Sequence, residues 1–193
     1  MTNKNIPYLD EWLKLATDGK FAKAQELYYE SLFEEIIENF AENCKDLIPY
    51  DGVLFSILGF SPEPIILTAK AIRPLKHIIF TTNNKDDGDL YLEKFLETNF
   101  EMVFIRDENF ETVYKALKEN LILHSNSNIT LDITGGKKSL VAAASIFGKD
   151  YGCRIVYVDF SEYIKELRKP LPGSEILTVV YDPLLNQPEL FLK

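Results

Sequence analysis

Between Ile6 and Cys44 the apolar residues recur at the three- and four-residue spacing of an amphipathic helix. Asp18-Gly19-Lys20 interrupts this pattern, and turn-forming residues of this kind end helices. The segment therefore predicts a helical hairpin, with a short helix followed by a longer one. We expect residues 1–49 to form this hairpin and residues 50–193 to form a ligand-binding domain.

After Pro49 the period changes to short apolar runs rich in β-branched and aromatic residues, which are typical of buried strands. Five such runs are predicted as strands, at 53–58, 77–82, 102–105, 129–133 and 155–160. Four segments between them have helical periodicity, at 62–73, 89–98, 110–123 and 138–151. A sixth run at 176–181 follows without a long helix, so we expect an antiparallel edge strand there. The fold class is α/β, a Rossmann-like, doubly wound and mainly parallel six-stranded sheet.

Charge and composition narrow the choice of partner and compartment. The 193 residues contain 21 Lys and Arg against 30 Asp and Glu, a net charge of −9, and no basic stripe of the kind that duplex DNA binding requires. Two distant cysteines predict neither a disulfide framework nor a zinc site, which fits a reducing compartment. With no signal peptide or apolar span in the sequence, we expect a cytoplasmic protein without membrane contact.

Ligands of open parallel sheets bind at the carboxyl ends of the strands, so the strand-to-helix loops are the candidate sites. The loop after the first strand contains Gly59, Phe60 and Ser61, and Ser61 is placed to cap the following helix. It lacks the several glycines that let a dinucleotide pyrophosphate approach the backbone. We therefore expect no nucleotide cofactor of the NAD or FAD type, and no metal ligands are grouped at suitable spacing.

The loop after the fourth strand is the stronger candidate. It reads Asp132-Ile133-Thr134-Gly135-Gly136-Lys137-Lys138-Ser139 and leads directly into an apolar helix. Its free backbone amides, hydroxyls and two ammonium groups at a helix N-terminus predict an anion cradle, although the glycine spacing is not that of a Walker A loop. The alternative is a tight connection, with Asp132 bonding the loop amides and Ser139 capping the helix. Paired lysines in a first helical turn oppose the helix dipole, which favours the anion site.

These two loops together resemble the CRISPR-associated Rossmann-fold domains, known as CARF domains. The matching segments are 52–64, which includes the first strand, and Asp132 to Ser139, while Lys137 stands where the family more often has Thr. The segment 168–175 is also similar to the family, and the resemblance covers about residues 51–183.

The resemblance implies a homodimer that binds a cyclic oligoadenylate of four or six nucleotides, the second messenger of type III CRISPR systems. Carried over by position, it assigns Gly59, Phe60 and Ser61 to one wall of the site, and Thr81, Thr82 and Asn83 to contacts with adenine or ribose. The second wall is assigned to the fourth-strand loop, which comprises Asp132, Thr134, Gly135, Gly136, Lys137, Lys138 and Ser139. Most family members are joined to an effector domain. No effector domain can be identified in this sequence, so the effector is expected to be absent or separate.

Three functions remain open from the sequence. The first is a sensor that binds the messenger intact. The second is a metal-independent ring nuclease, in which the ribose 2′-hydroxyl attacks the phosphate, Lys138 or Lys137 stabilises the developing charge, and Ser61 positions the ribose. The third is a Rossmann-like enzyme acting on another nucleotide.

Overall fold

The computed structural model describes residues 6–47, 52–82, 87–96 and 99–187. Its N-terminal part is the predicted hairpin: α1 (Leu9–Thr17) turns at Gly19, which has a φ of +75°, into a longer helical rod. The rod consists of α2 (Phe21–Leu27), a π-helical turn (Tyr28–Leu32) and α3 (Phe33–Cys44). The hairpin is confirmed, and the π-helical turn inside its longer arm was not predicted.

The remaining elements alternate as expected for an α/β fold. The main strands are β1 (Val53–Ile57), β2 (Lys76–Thr81), β3 (Phe100–Phe104), β4 (Ile129–Asp132), β5 (Arg154–Phe160) and β8 (Glu175–Tyr181). The helices after them are α4 (Glu63–Ile72), α5 (Asp87–Phe95), α6 (Phe110–Leu123), α7 (Lys138–Asp150) and the short α8 (Pro183–Asn186). A two-stranded hairpin of β6 (Tyr163–Ile164) and β7 (Lys169–Pro170) lies between β5 and β8 and was not predicted.

The six main strands form one sheet in the order β3-β2-β1-β4-β5-β8. The first five are parallel, and β8 runs antiparallel to β5 at the edge. The predicted fold class and the antiparallel edge strand are therefore confirmed. The strand order reverses between β1 and β4, which is the place where a doubly wound sheet forms its ligand crevice.

Two boundaries differ from the sequence prediction for identifiable reasons. Helix α4 begins at Glu63 with Pro62 in the N-cap position, so the expected cap at Ser61 is wrong by one residue. Strand β3 begins two residues earlier than predicted, at Phe100. Because β3 is an edge strand, it accommodates the exposed Glu101, whose carboxylate pairs with Lys76 at 2.8 Å, and this polar residue interrupted the apolar run.

Helices cover both faces of the sheet. The N-terminal helices, α4 and α5 pack on one face, where Leu54, Ile79 and Val156 point into a shared apolar cluster. Helices α6 and α7 cover the opposite face over Phe55 and Phe80. The N-terminal helices thus share a core with the sheet; the division into 1–49 and 50–193 stays a prediction, because residues 48–51 lie outside the described ranges.

The two cysteines are buried free thiols on opposite sides of the sheet. Cys44 belongs to the cluster beneath the N-terminal helices, and Cys153 belongs to the cluster beneath α6 and α7. Burial raises the pKa of each thiol, most strongly that of Cys153, to about 12. Among the described helices, none has the length and apolar character needed to cross a lipid bilayer.

Candidate functional site

The loops that follow β1 and β4 meet at the carboxyl end of the sheet. Their strands are hydrogen-bonded neighbours, and Ser56 in β1 is the register partner of Asp132 in β4. Each loop leads into a helix on a different face of the sheet, because the strand order reverses here. The topology therefore brings together the two segments that the sequence singled out.

Three glycines let these loops pack backbone against backbone. A Cβ on Gly135 would lie 2.2 Å from the carbonyl oxygen of Ile57, and a Cβ on Gly59 would lie 2.5 Å from the amide nitrogen of Gly136. Gly136 also has a φ of +88°, a conformation that side-chain-bearing residues rarely adopt. The loops are thus locked into one shape that any larger residue would change, which keeps the backbone amides at the start of α7 in a fixed arrangement.

The two lysines of the fourth-strand loop have different surroundings. Lys137 is the N-cap residue of α7 and pairs with the carboxylate of Glu108 at 2.5 Å. Lys138 is exposed in the first helical turn and forms no ion pair with a carboxylate of the described residues. Its ammonium group stands uncompensated at the positive end of the helix dipole, which favours an anion there.

Asp132 supports the fourth-strand loop from inside the protein core. Its side chain is fully buried, and its Oδ1 accepts hydrogen bonds from the amide of Thr134 at 2.9 Å and from the Thr134 hydroxyl at 2.6 Å. The same hydroxyl oxygen accepts a hydrogen bond from the amide of Val158 at 2.8 Å. Thr134 thereby ties the fourth-strand loop to the end of β5, and both of its hydrogen-bonding roles are used inside the protein.

Burial raises the pKa of Asp132 to about 6, although its hydrogen bonds from Thr134 and the nearby hydroxyls of Thr68 and Ser56 act in the opposite direction. Ser56 also bonds to His77, with 2.9 Å between the hydroxyl oxygen and Nε2. His77 is completely buried, which lowers its pKa to about 3 and keeps the ring neutral. A buried polar line therefore runs beneath α4 from His77 through Ser56 to Asp132 and Thr134.

The structure separates the predicted site residues into an exposed group and a supporting group. The exposed group surrounds the two loops and comprises Phe60, Ser61, Gly136, Lys137, Lys138 and Ser139. Gly59, Thr82, Thr134 and Gly135 are partly exposed, whereas Thr81 and Asp132 are buried beneath them. Asn83 lies outside the described residues. Lys137, not Ser139, occupies the cap position of α7, so the predicted Ser139 cap is wrong. The other part of that alternative, a hydrogen bond from a loop amide to Asp132, is confirmed.

Sequence reasoning missed Glu108, which neutralises one of the two lysines. This residue precedes α6, and α6 packs beside α7 after crossing from the edge strand β3 to β4. A right-handed crossover places consecutive helices of this kind side by side. The predicted β3–α6–β4 crossover therefore indicates that a carboxylate at the start of α6 lies close to the start of α7.

Comparisons with known proteins place this chain among CRISPR proteins. No protein-family profile matches it. The CRISPR system endoribonuclease Csm6 of Thermus thermophilus is 36% identical over 167 residues, which cover 82% of this chain and 36% of that protein. The chain thus spans about a third of the length of this relative.

Solved structures with similar architecture include Can2 of Sulfobacillus thermosulfidooxidans in complex with cyclic tetra-adenylate. It is 22% identical, with a TM-score of 0.47 over 57% of this chain and 32% of Can2. Csm6 of Enterococcus italicus, bound to cyclic hexa-2′-fluoro-hexa-dAMP, is 14% identical, with a TM-score of 0.48 over 68% of this chain and 42% of that one.

Proposed function

Because this chain belongs to the CRISPR-associated Rossmann-fold domain proteins of type III CRISPR systems, we propose that it binds a cyclic oligoadenylate of four or six nucleotides. The ligand would lie on the loops that follow β1 and β4, at an interface between two copies of the chain. Binding would then be signalled to an effector that is separate from the described residues. A cytoplasmic location is part of the same proposal.

The observation that carries this proposal is the glycine contact between the two loops. It holds the first amides of α7 in a rigid array at the point where strand order reverses, and rigid amides at a helix N-terminus bind phosphate groups well. The array costs the protein no rearrangement when the ligand arrives, since its shape is set by contacts inside the protein.

Local charge explains how an acidic chain can bind a small ribonucleotide ring. The net charge of −9 opposes an extended duplex, whose recognition needs many cations over a long surface. A small ring presents a few phosphates within a short distance, and each copy of the chain offers Lys138 and the α7 amides at the same place. Two such cradles would place positive charge beside the phosphates of the ring.

A two-fold arrangement of chains suits the symmetry of the ligand. A ring of four or six identical nucleotides has a two-fold axis, so two identical protein surfaces can bind its two equivalent halves. Phe60, beside the cradle in the β1–α4 loop, is 92% exposed, which is unusual for a large aromatic side chain. We infer that Phe60 becomes covered by the ligand or by the second copy.

The test is calorimetric titration of the protein with cyclic tetra-adenylate and cyclic hexa-adenylate, with size measurement of the free and bound protein. Lys138→Ala is expected to weaken binding at least tenfold, because it removes a charge-assisted contact to phosphate. Lys137→Ala is expected to have a smaller effect, since Lys137 already pairs with Glu108. Lys149→Ala is the matched control, an exposed lysine at the opposite end of the same helix.

Gly135→Ala tests the cradle without changing any charge. The added methyl would overlap the Ile57 carbonyl, so the loop must move and binding is expected to fall by a factor similar to that for Lys138→Ala. Wild-type protein that binds neither ring, or binding that is equal in wild type, Gly135→Ala and Lys138→Ala, would contradict the proposed site.

Ring cleavage is a second candidate, favoured by the uncompensated charge of Lys138. In this reaction the ribose 2′-hydroxyl loses its proton to water as its oxygen bonds to the adjacent phosphorus. The bond from phosphorus to the 5′-oxygen breaks, and that oxygen takes a proton from water, so the products carry a 2′,3′-cyclic phosphate and a 5′-hydroxyl. Lys138 would stabilise the charge that develops on the phosphate oxygens, and Ser61 would position the ribose. Incubation of each ring with the protein in a metal chelator, followed by mass spectrometry, distinguishes cleavage from binding of an intact ring.

A further inference from the structure

A cavity of about 600 Å³ lies next to the cradle, between the N-terminal helices and the carboxyl end of the sheet. Ser61 from the β1–α4 loop and Thr134 from the fourth-strand loop form part of its wall. The cavity and the cradle are therefore continuous. Six aromatic side chains also line the cavity, namely Trp12, Phe21, Tyr28, Tyr29, Tyr157 and Phe160. Such a lining suits a flat aromatic group that enters from the cradle side.

The π-helical turn in the longer N-terminal helix shapes this cavity. It spans Tyr28–Leu32, and both Tyr28 and Tyr29 reach the cavity wall although they are adjacent in sequence. Their rings meet edge to face with centroids 5.2 Å apart, and Tyr29 stacks on Tyr91 with centroids 3.9 Å apart. Single π-helical turns inside α-helices occur frequently at functional sites.

Two carboxyl groups face this aromatic space. Glu63, at the start of α4, accepts a hydrogen bond at Oε1 from the Tyr29 hydroxyl at 2.5 Å, and its buried Oε2 has no hydrogen-bond partner among the described residues. Glu175, at the start of β8, also lines the cavity and forms no ion pair with a described residue. Lys169 also lines the cavity, and its ammonium group lies 5.9 Å from the centroid of the Phe21 ring.

We propose that this cavity receives one adenine base of the ligand and that Glu175 binds the Watson–Crick edge of that base. The inference rests on the proposed function and extends it, because it assigns base recognition to this cavity, part of whose wall is formed by the N-terminal helices. Each copy of the chain would accept one base of the ring while the adjacent phosphates stay in the cradle.

The chemistry of Glu175 suits adenine. Adenine presents a donor at N6 and an acceptor at N1, and a protonated carboxyl group offers the matching acceptor and donor. An ionised carboxylate offers two acceptors and would instead suit the two adjacent donors of guanine. Burial raises the pKa of Glu175 to about 7, so that a large share of the protein carries the proton at neutral pH.

The titratable groups that line the cavity together with Glu175 come from four elements. They are Tyr28 and Tyr29 from the π-helical turn, Glu63 from α4, Tyr157 from β5 and Lys169 from β7. The backbone amides of Gly173 and of Glu175 itself lower its pKa, and burial outweighs them. Tyr28 and Tyr29 stay neutral throughout the relevant pH range, because burial raises their pKa values.

The experiment measures the affinity of the full chain for the better-bound of the two adenylate rings, at pH 6 and at pH 8. Wild-type binding is expected to weaken by up to about tenfold at pH 8, because a carboxyl group with a pKa near 7 is then mostly ionised. Glu175→Gln keeps a donor and an acceptor, so its binding should be strong and equal at both pH values. Glu175→Ala should bind at least tenfold more weakly than wild type at pH 6, without pH dependence.

Glu166→Gln is the matched control, an exposed carboxyl group between β6 and β7 that should bind as wild type does. Phe21→Ala gives a second test that does not disturb the core, because Phe21 is 59% exposed and lines the cavity. It should weaken binding several-fold through loss of base stacking. A thermal melt of each variant checks that it is folded.

The outcomes separate this inference from the proposed function. If Glu175→Ala and Phe21→Ala are folded and bind the ring as wild type does, the cavity does not hold a base, while the cradle proposal stands. If Glu175→Gln binds as weakly as Glu175→Ala, the hydrogen-bonding role of Glu175 is overturned. If wild type binds neither ring at either pH, both proposals fail.

Discussion

The two faces of the central sheet differ in the polar groups that they bury. Beneath α6 and α7 the buried side chains are apolar, as with Phe55, Phe80 and Phe147. Beneath α4 the same strands bury apolar side chains as well, together with the fully buried polar residues His77, Ser56 and Asp132. Neighbouring residues of a strand point to opposite faces, so this difference arises from alternate positions of the same strands.

The difference shows which face positions the candidate site. The polar line ends on Thr134, which joins the fourth-strand loop to β5 through its hydroxyl group. The apolar face contributes burial without directional contacts to that loop. We therefore expect changes on the apolar face to alter stability at every pH, and changes on the polar face to alter stability in a pH-dependent way.

The largest effect is expected for Phe55→Ala on the apolar face. Phe55 is fully buried and meets Phe80 edge to face with ring centroids 5.2 Å apart. Removing its ring should lower the free energy of unfolding by about 3–5 kcal/mol. Urea unfolding at pH 5 and at pH 8 should give the same loss, because no titratable group of the polar line lies on this face. A loss that differs strongly between the two pH values would contradict the division.

Asp132→Asn, on the polar face, should stabilise the protein at pH 7.5. Burial raises the Asp132 pKa from 3.8 to about 6, so the folded state favours the protonated form. Wild type therefore keeps this contribution below about pH 4 and loses it as the pH rises through 6, by about 3 kcal/mol in total. The asparagine avoids that loss. Urea unfolding should show a gain at pH 7.5 that vanishes at pH 4, and a loss at pH 7.5 would mean that the ionised carboxylate is stabilising.

Thr134→Val tests the link between the polar line and the loop. It leaves the Val158 amide and one Asp132 oxygen without the hydroxyl that they share, which should cost about 1–3 kcal/mol of unfolding free energy. Thr134→Ser keeps the hydroxyl and is the matched control. Equal denaturation midpoints for the two variants would show that this hydroxyl does not support the loop.

His77→Gln tests the other end of the polar line and is measured in the Asp132→Asn background, so that the opposing carboxyl titration is absent. The His77 pKa falls from 6.5 to about 3 on folding. The neutral ring therefore contributes stability that is complete above pH 6.5. This contribution is lost as the pH falls from 6.5 to about 3, by at most about 1.4 kcal/mol per pH unit. The Gln variant should lose stability less steeply between pH 6.5 and pH 4. Parallel slopes would contradict neutral burial of His77.

Most of the fold follows from local pattern. Helix α6 has the predicted bounds, and β1, β4 and β5 agree within one residue, because their buried runs are bounded by turn residues. The π-helical turn at Tyr28–Leu32 could not be predicted in this way. It inserts one residue into a continuous helical pattern, at a place where Tyr28 packs on Trp12 of α1 and Tyr29 stacks on Tyr91 of α5.

For the candidate site, the loop sequences alone identified the segments that carry Gly59, Gly135 and Lys138. Glycine permits close approach of two backbones and lysine supplies positive charge, whatever the strand order is. The alternation of strands and helices predicts that both loops lie at the same edge of the sheet. Tertiary structure alone decided that Glu108 neutralises Lys137, that Asp132 supports the loop from within the core, and that Glu63 and Glu175 share an aromatic chamber. These pairings join residues far apart in the chain, and burial and charge compensation depend on which distant groups the packed sheet brings within a few ångströms.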